Sequence, residues 1–233
     1  MRKILFFVLI ALICCAFMFS CGAGEDTGKL YLVKQTMTDK TGTITVEFIY
    51  NQDYQTVKNK TTSGGISDTE SDIGYDENGY QNYQKNVSKS GLVSEVFITN
   101  DANGRVLEMR TVSVYNGTET EIIIAYEYTD GYGSYIQTST SGITTTVTND
   151  EHGNAIASSN NKGQSFTYEN KYIGELLAET ITTMTVGTKT TVTTVKYEYD
   201  SQGNKIKETS YDSDGNITYT QIFEYSSDVE FVN

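Results

Sequence analysis

The residues that could do chemistry are few and scattered. His152 is the only histidine in 233 residues. A single imidazole supports neither a zinc site built on several histidines nor a triad that needs a second one. It stands in Asp150-Glu151-His152-Gly153, a polar turn sequence, and reads as an exposed turn residue. Asp212-Ser213-Asp214-Gly215-Asn216 has the acid spacing of a calcium loop. An EF-hand needs an acid at its first position and a Glu at its twelfth. Aligned on Gly215, those positions hold Ser210 and Gln221, so the EF-hand reading fails and turn stabilisation explains the residues. The 30 Asp and Glu allow many carboxylate pairs of the kind that cleave glycosides, yet none has a distinctive setting. No Gly-rich loop runs from a strand into a helix to cradle a phosphate. Asn86-Val87-Ser88 and Asn116-Gly117-Thr118 match glycosylation acceptors in form and read as strand and turn residues. The expectation is a non-enzyme with no catalytic residue, no metal site and no cofactor, and with its ligand-binding residues unassigned.

The elements around these residues are strands. Ile44, Val46, Phe48 and Tyr50 fall on one face, with Thr45 and Glu47 on the other. Such alternation marks a half-buried strand. The same pattern runs through 92–99, 106–115, 121–128, 143–148, 190–199, 205–211 and 217–225. Thr, Val, Ile and 18 Tyr favour strands, and there is no Pro or Trp. Short polar turns separate the runs: 39–42, 101–104, 150–153, 201–204 and 212–216. This predicts an all-β antiparallel meander of roughly 12–15 short strands, curled into a winding, repeat-like sheet. Residues 175–180 could make one helical turn, although the Thr/Val-rich run that follows argues for strand. Residues 63–73, with Gly64-Gly65 and several acids, read as a long loop and a candidate boundary within the sheet domain.

The N-terminus reads as a targeting segment. Arg2 and Lys3 precede an apolar run from Ile4 to Phe19, too short to cross a bilayer comfortably as a helix. Met18-Phe19-Ser20-Cys21 resembles the lipobox of bacterial lipoproteins, with Phe19 larger than the pattern prefers. The resemblance implies cleavage after Ser20, lipid on the Cys21 sulfur and acylation of the new amino group. Residues 1–20 would be the signal and 21–28 the anchor and tether, with 29–233 the β-sheet domain. The alternatives are a plain secreted protein cut near Ser20 and an uncleaved anchor helix. Two or three acyl chains hold a protein firmly at a membrane. Cys14 and Cys15 would leave with the signal, so the mature domain would contain neither a free thiol nor a disulfide.

Removing residues 1–20 leaves 15 Lys+Arg against 30 Asp+Glu. Such a surface repels phosphate backbones, and no nucleic-acid partner is expected.

A repeat is visible. Tyr75-Asp76-Glu77-Asn78-Gly79, Tyr199-Asp200-Ser201-Gln202-Gly203 and Tyr211-Asp212-Ser213-Asp214-Gly215 are its clearest copies. The segments at 100–104 and 149–153 are looser ones, with Asn in place of Tyr. The motif resembles the YD repeats of RHS-type proteins, most closely over 196–225. That resemblance implies a winding sheet of antiparallel hairpins; at this length it does not imply the closed shell of large members. Tyr rings on a rigid sheet suit carbohydrate stacking or protein contact.

The sequence thus predicts a non-catalytic lipoprotein of the bacterial envelope, at the outer membrane or cell surface, with a periplasm-facing placement as the alternative. Its partners would be the membrane, through Cys21, and a protein or glycan bound by a Tyr-rich sheet surface. A structural, envelope-assembly component without soluble ligand is the competing reading, and a carboxylate-based hydrolase the third.

Overall fold

A computed structural model describes residues 30–63, 69–131 and 133–232. The described residues form sixteen strands and no helix. They are β1 (Tyr31–Asp39), β2 (Gly42–Tyr50), β3 (Thr56–Ser63), β4 (Thr69–Tyr75), β5 (Gln81–Ser88) and β6 (Val93–Asn100). Then follow β7 (Val106–Tyr115), β8 (Thr118–Tyr128), β9 (Tyr135–Ser139), β10 (Thr144–Asn149) and β11 (Ala155–Asn160). The last are β12 (Gln164–Ile173), β13 (Leu176–Val186), β14 (Lys189–Tyr199), β15 (Lys205–Tyr211) and β16 (Ile217–Ser226). Each pairs antiparallel with the next, and β1 pairs with β16 from Tyr31↔Ser226 to Asp39↔Tyr219, closing a barrel.

The antiparallel meander is therefore present, with a strand count just above the expected range, and its curl closes into a barrel, a point the sequence pattern leaves undecided. Residues 63–73, read as a long loop, hold the end of β3 and most of β4. Strand pairing with β3 and β5 overrides the weak local signal there. Of residues 175–180, the candidate helical turn, 176–180 lie in β13. The signal, Ser20, Cys21 and the tether fall outside the described residues.

The turns explain the recurring Asp and Gly. In the copy at 76–80, Asp76 N–H donates to the Tyr80 carbonyl at 2.8 Å and Gly79 N–H to the Asp76 carbonyl at 3.0 Å. The Asp76 carboxylate then accepts from the N–H groups of Asn78 and Tyr80, each at 2.9 Å. Asp101, Asp150, Asp200 and Asp212 repeat the arrangement. An Asp that satisfies two backbone donors, followed by a left-handed residue three positions on, makes a five-residue hairpin loop self-sufficient.

A second device accompanies the turn on every even-numbered strand. Near the strand's end, a Tyr or Asn side chain reaches back to the backbone at the start of the preceding strand. Tyr50 donates to Leu32 O, Tyr75 to Thr56 O, Tyr199 to Leu177 O and Tyr225 to Lys205 O, at 2.7–3.0 Å. Asn100, Asn149 and Asn170 reach Gln81 O, Gly133 O and Ala155 O in the same way. Tyr128 meets the Val106 backbone. The repeating unit is thus a hairpin, and eight in tandem make the barrel. The Tyr211 motif has the same turn chemistry but ends an odd-numbered strand, so it lies at the opposite rim.

Cross-strand partners share a face of the sheet. One face carries the rows Ile73–Gln84–Val96 and Ile98–Met109–Ile124 and holds most of the least exposed side chains. We take it as the inner wall. The other face carries cross-strand ion pairs: Lys34–Glu224 at 3.2 Å, Lys58–Asp72 at 3.5 Å, Lys207–Glu198 at 2.7 Å and Lys171–Glu179 in register, and Arg110–Glu121 on the diagonal. No described side chain is fully buried. Connections between strands run from 2 to 6 residues, too short to fill a lumen. A barrel of sixteen strands is wide enough to hold water.

Candidate functional site

The inner wall is where the chain gathers its chemistry. In β3–β6 it is a polar lattice. Ser71 donates to the Asn86 amide oxygen at 2.7 Å, Gln84 donates to the same oxygen at 2.7 Å, and Asn59 lies opposite Ser71. All four are set there by β-sheet register. Among the described residues, every buried polar side-chain atom has a partner.

From β8 round to β16 the wall becomes aromatic. Tyr126 and Tyr128 pack on Tyr135, with ring centroids 5.6 and 6.0 Å apart. Phe166 stacks on Tyr168 at 6.3 Å. On β14–β16, Tyr197, Glu208 and Tyr219 lie on the inner face through the pairs Tyr197↔Glu208 and Ser210↔Tyr219. The Glu208 carboxylate accepts from the Tyr219 hydroxyl at 2.5 Å and pairs with Lys205 at 3.1 Å. The Lys205 ammonium lies 4.5 Å from the centroid of Phe223 and 5.4 Å from that of Tyr197. Burial, reinforced by the Glu208 charge and hydrogen bond, pushes the Tyr219 phenol well above its ordinary value. Burial raises Tyr197 and Tyr135 too.

A second cluster sits at the rim formed by the even-to-odd turns. The Tyr172 hydroxyl donates to Asp150 at 2.5 Å and accepts from the Asn154 amide at 2.9 Å. Asn170 donates to the same Asp150 oxygen at 3.1 Å. Burial opposes charge at Asp150, but these donors outweigh it and hold its carboxyl below the usual range. Burial and the Asp150 bond push Tyr172 up to about 12. His152 stacks on Tyr172 at 4.2 Å and lies 3.5 Å from Glu175. His152 is an exposed turn residue, as the sequence suggests, and its imidazole also packs on a ring. The groups that meet it are the Tyr172 ring and the Glu175 carboxylate.

The Asp212 carboxylate is taken up by Asp214 and Asn216 N–H groups within its own turn. Among the described residues, no three His, Cys, Asp or Glu side chains converge as metal ligands would. Asn116 is a left-handed turn residue (φ 50°), and Asn86 lies in the inner polar lattice. Most of the described tyrosines face the lumen, so the Tyr-rich sheet surface expected from the sequence is an inner wall. Lys205 and Glu208 were not legible as a pair, because Lys205-Ile206-Lys207-Glu208 shows no alternation and only the bulged pairing with β14 brings both inside.

No family model and no curated protein matches the chain. Among solved structures, a porin-like protein from Bacteroides vulgatus aligns at TM-score 0.44 with 9% identity, over 85% of this chain and 100% of that one. A porin-like protein from Bacteroides uniformis aligns at TM-score 0.40 with 10% identity, over 84% and 98%. The TcdB2-TccC3-TEV structure aligns at TM-score 0.30 with 12% identity, over 76% of this chain and 11% of that one.

Proposed function

We propose that this is a non-catalytic, lipid-tethered barrel that stands in water beside a bacterial envelope membrane and takes a hydroxyl-rich glycan segment into its lumen. The observation that supports the reading best is the composition of the inner wall. Its tyrosine rings are interleaved with Asn, Gln, Ser and Thr. Several of its hydroxyls are tied back to the wall, at Tyr75, Tyr199 and Tyr225 for example, so the rings lie along it. Pinned aromatic faces beside amides and hydroxyls suit sugar rings, which present apolar faces and polar edges.

The same geometry disfavours the neighbouring readings. A membrane-spanning barrel needs an outward apolar band about 25 Å tall. Here the outer face carries ion pairs and the inner face amides, so neither supplies one. Assembly by strand addition needs a free edge, and closure through β1 and β16 removes it.

The test has two arms. In the first, Cys21→Ala is expected to release the protein from membranes without detergent; retention would mean that residues 1–20 persist as an anchor helix or that the barrel itself inserts, and a chain beginning at residue 22 behind a cleavable signal separates the two. In the second, chitohexaose and maltoheptaose are titrated while tyrosine emission is followed, unobscured because the chain has no Trp. At least one is expected to give a saturable change that Tyr168→Ala weakens about tenfold, or about 1.4 kcal/mol. Tyr211→Ala, on the outer wall, should leave it unchanged. Silence from both sugars, or equal loss in the two variants, overturns the lumen as the site.

A further inference from the structure

The outer wall is not uniform. Over β10–β13 it is a field of hydroxyls, with Thr146, Thr148, Ser159, Thr167 and Thr183 facing outward by register. Over β5–β8 it changes character. Val87, Val93 and Val114 form one cross-strand row. Tyr83, Phe97, Arg110 and Ile123 form another; the row between them is Lys85–Glu95–Val112–Glu121, and Val112 joins the two apolar rows. Val87, Phe97 and Val114 are 43, 39 and 37% exposed. Tyr83 and Arg110 pack on Phe97, with Tyr83 at 5.4 Å ring to ring and the Arg110 guanidinium carbon 5.4 Å from the Phe97 centroid. Polar outer faces need no such row for folding, and contiguous exposed apolar rows mark contact sites.

Carboxylates border the stripe on both sides. Glu70 lies opposite Val87. Glu119 lies opposite Val114 and Glu121 opposite Val112. The cations beside the stripe are matched to its acids, Lys60 opposite Glu70, Lys85 with Glu95 and Arg110 with Glu121, while Glu119 has the apolar Val114 opposite it. An anionic bilayer or a nucleic acid would meet this border with repulsion. A second copy related by a twofold axis would bring like patches together and set carboxylate near carboxylate. What fits is an apolar row with cations on its flanks.

We propose that the outer wall of β5–β8 docks a basic amphipathic segment of a partner protein, independently of any ligand in the lumen. Val87, Val93, Val114 and Phe97 receive its apolar row, and Glu119 receives a Lys or Arg side chain. Closure of the barrel means that the contact is made by side chains on the face, with no main-chain pairing.

The probe is a labelled helical peptide of Leu and Lys, about 18 residues or five turns long, titrated with the full-length protein by fluorescence anisotropy. Saturable binding is expected, weaker as salt rises. Val114→Ser combined with Phe97→Ser should weaken it at least about tenfold. Glu119→Lys should weaken it too, and Thr183→Lys on the hydroxyl wall should not. A matched Leu/Glu peptide should not bind. If the double variant loses its β-sheet circular dichroism, Val114→Ser alone carries the comparison. Equal binding by parent and Val114→Ser overturns the proposal, as does equal loss from Glu119→Lys and Thr183→Lys. Sedimentation showing a dimer that Val114→Ser dissociates would make the occupant a second copy and overturn it as well. None of these readouts depends on Tyr168 or on sugar binding.

Discussion

Gly104 and Gly203 occupy the same place in two copies of one turn, with φ of +79° and +84°. The left-handed region disfavours an L side chain by about 1–2 kcal/mol. At Gly203 an added Cβ meets nothing within 4 Å, so Gly203→Ala should show that penalty alone. At Gly104 it would stand 2.4 Å from the Tyr80 ring, which closes the neighbouring turn. Gly104→Ala should therefore lower the urea midpoint clearly more than Gly203→Ala; equal shifts would mean that adjacent turns do not pack. The turn residues were legible in sequence because Asp and Gly act within five residues of themselves. One copy was not. Asn51-Gln52-Asp53-Tyr54 makes the same turn with Tyr54 in the glycine's place at φ 59°. Its ring stacks on Tyr31 at 4.6 Å and meets Phe231 at 5.5 Å edge-on, contacts no local pattern announces.

Those three rings belong to a device at the level of strands. β1 and β2 pair only as far as Lys34↔Glu47, which leaves the last turn-ward residues of β2 beyond β1's register. The C-terminal tail fills that place. Tyr50 N–H donates to Glu230 O and Val232 N–H to Tyr50 O, both at 2.9 Å, in a parallel bridge centred on Phe231. The tail thus laces β16 to β2 across the start of β1, where the barrel closes. Truncation after Ser226 should remove two backbone hydrogen bonds and an aromatic contact, about 1–3 kcal/mol together. Hydrogen exchange is expected to quicken at Phe48, Ile49 and Tyr50, with strands opposite the seam unchanged. Unchanged exchange at Tyr50 would show that the tail is no latch. Strands with clean alternation, such as β2 and β14, were readable one at a time. β5, β9 and β11 were not, since Gln81-Asn82-Tyr83-Gln84 and Ala155-Ile156-Ala157-Ser158 owe their strand state to neighbours on both sides.

Closure itself is a property of the whole chain. Strand number and accumulated stagger decide whether a meander meets its own first strand, and no local motif carries that sum. Closure also sorts the charge. The even-to-odd turns and the tail form one rim, where Asp53, Glu77, Asp130, Glu151, Glu175 and Asp228 face a single Arg, Arg105, among the described residues. The opposite rim mixes Lys40, Lys89 and Lys162 with Asp212 and Asp214. The whole barrel should respond to pH from two directions. Thr41 holds the Asp39 carboxyl below its ordinary 3.8; Asn204 does so at Asp200, the Arg105 N–H at Asp101 and the Asn216 N–H at Asp212. A carboxyl lowered by folding contributes stability above its unfolded value, and that contribution is lost as pH falls through the folded one. Burial raises Tyr75 from 10.0 to about 12, and Tyr172 is raised likewise. A phenol raised by folding contributes stability below its unfolded value, lost as pH climbs from 10.0 toward 12. The urea midpoint should therefore be level between about pH 4 and pH 10 and decline on both sides. On the alkaline side, tyrosinate absorbance should rise in two stages, the second coinciding with loss of the β-sheet signal. A single reversible titration of all the tyrosines near their ordinary value, with the barrel intact, would mean that the inner wall is not the half-buried aromatic surface on which the lumen reading depends.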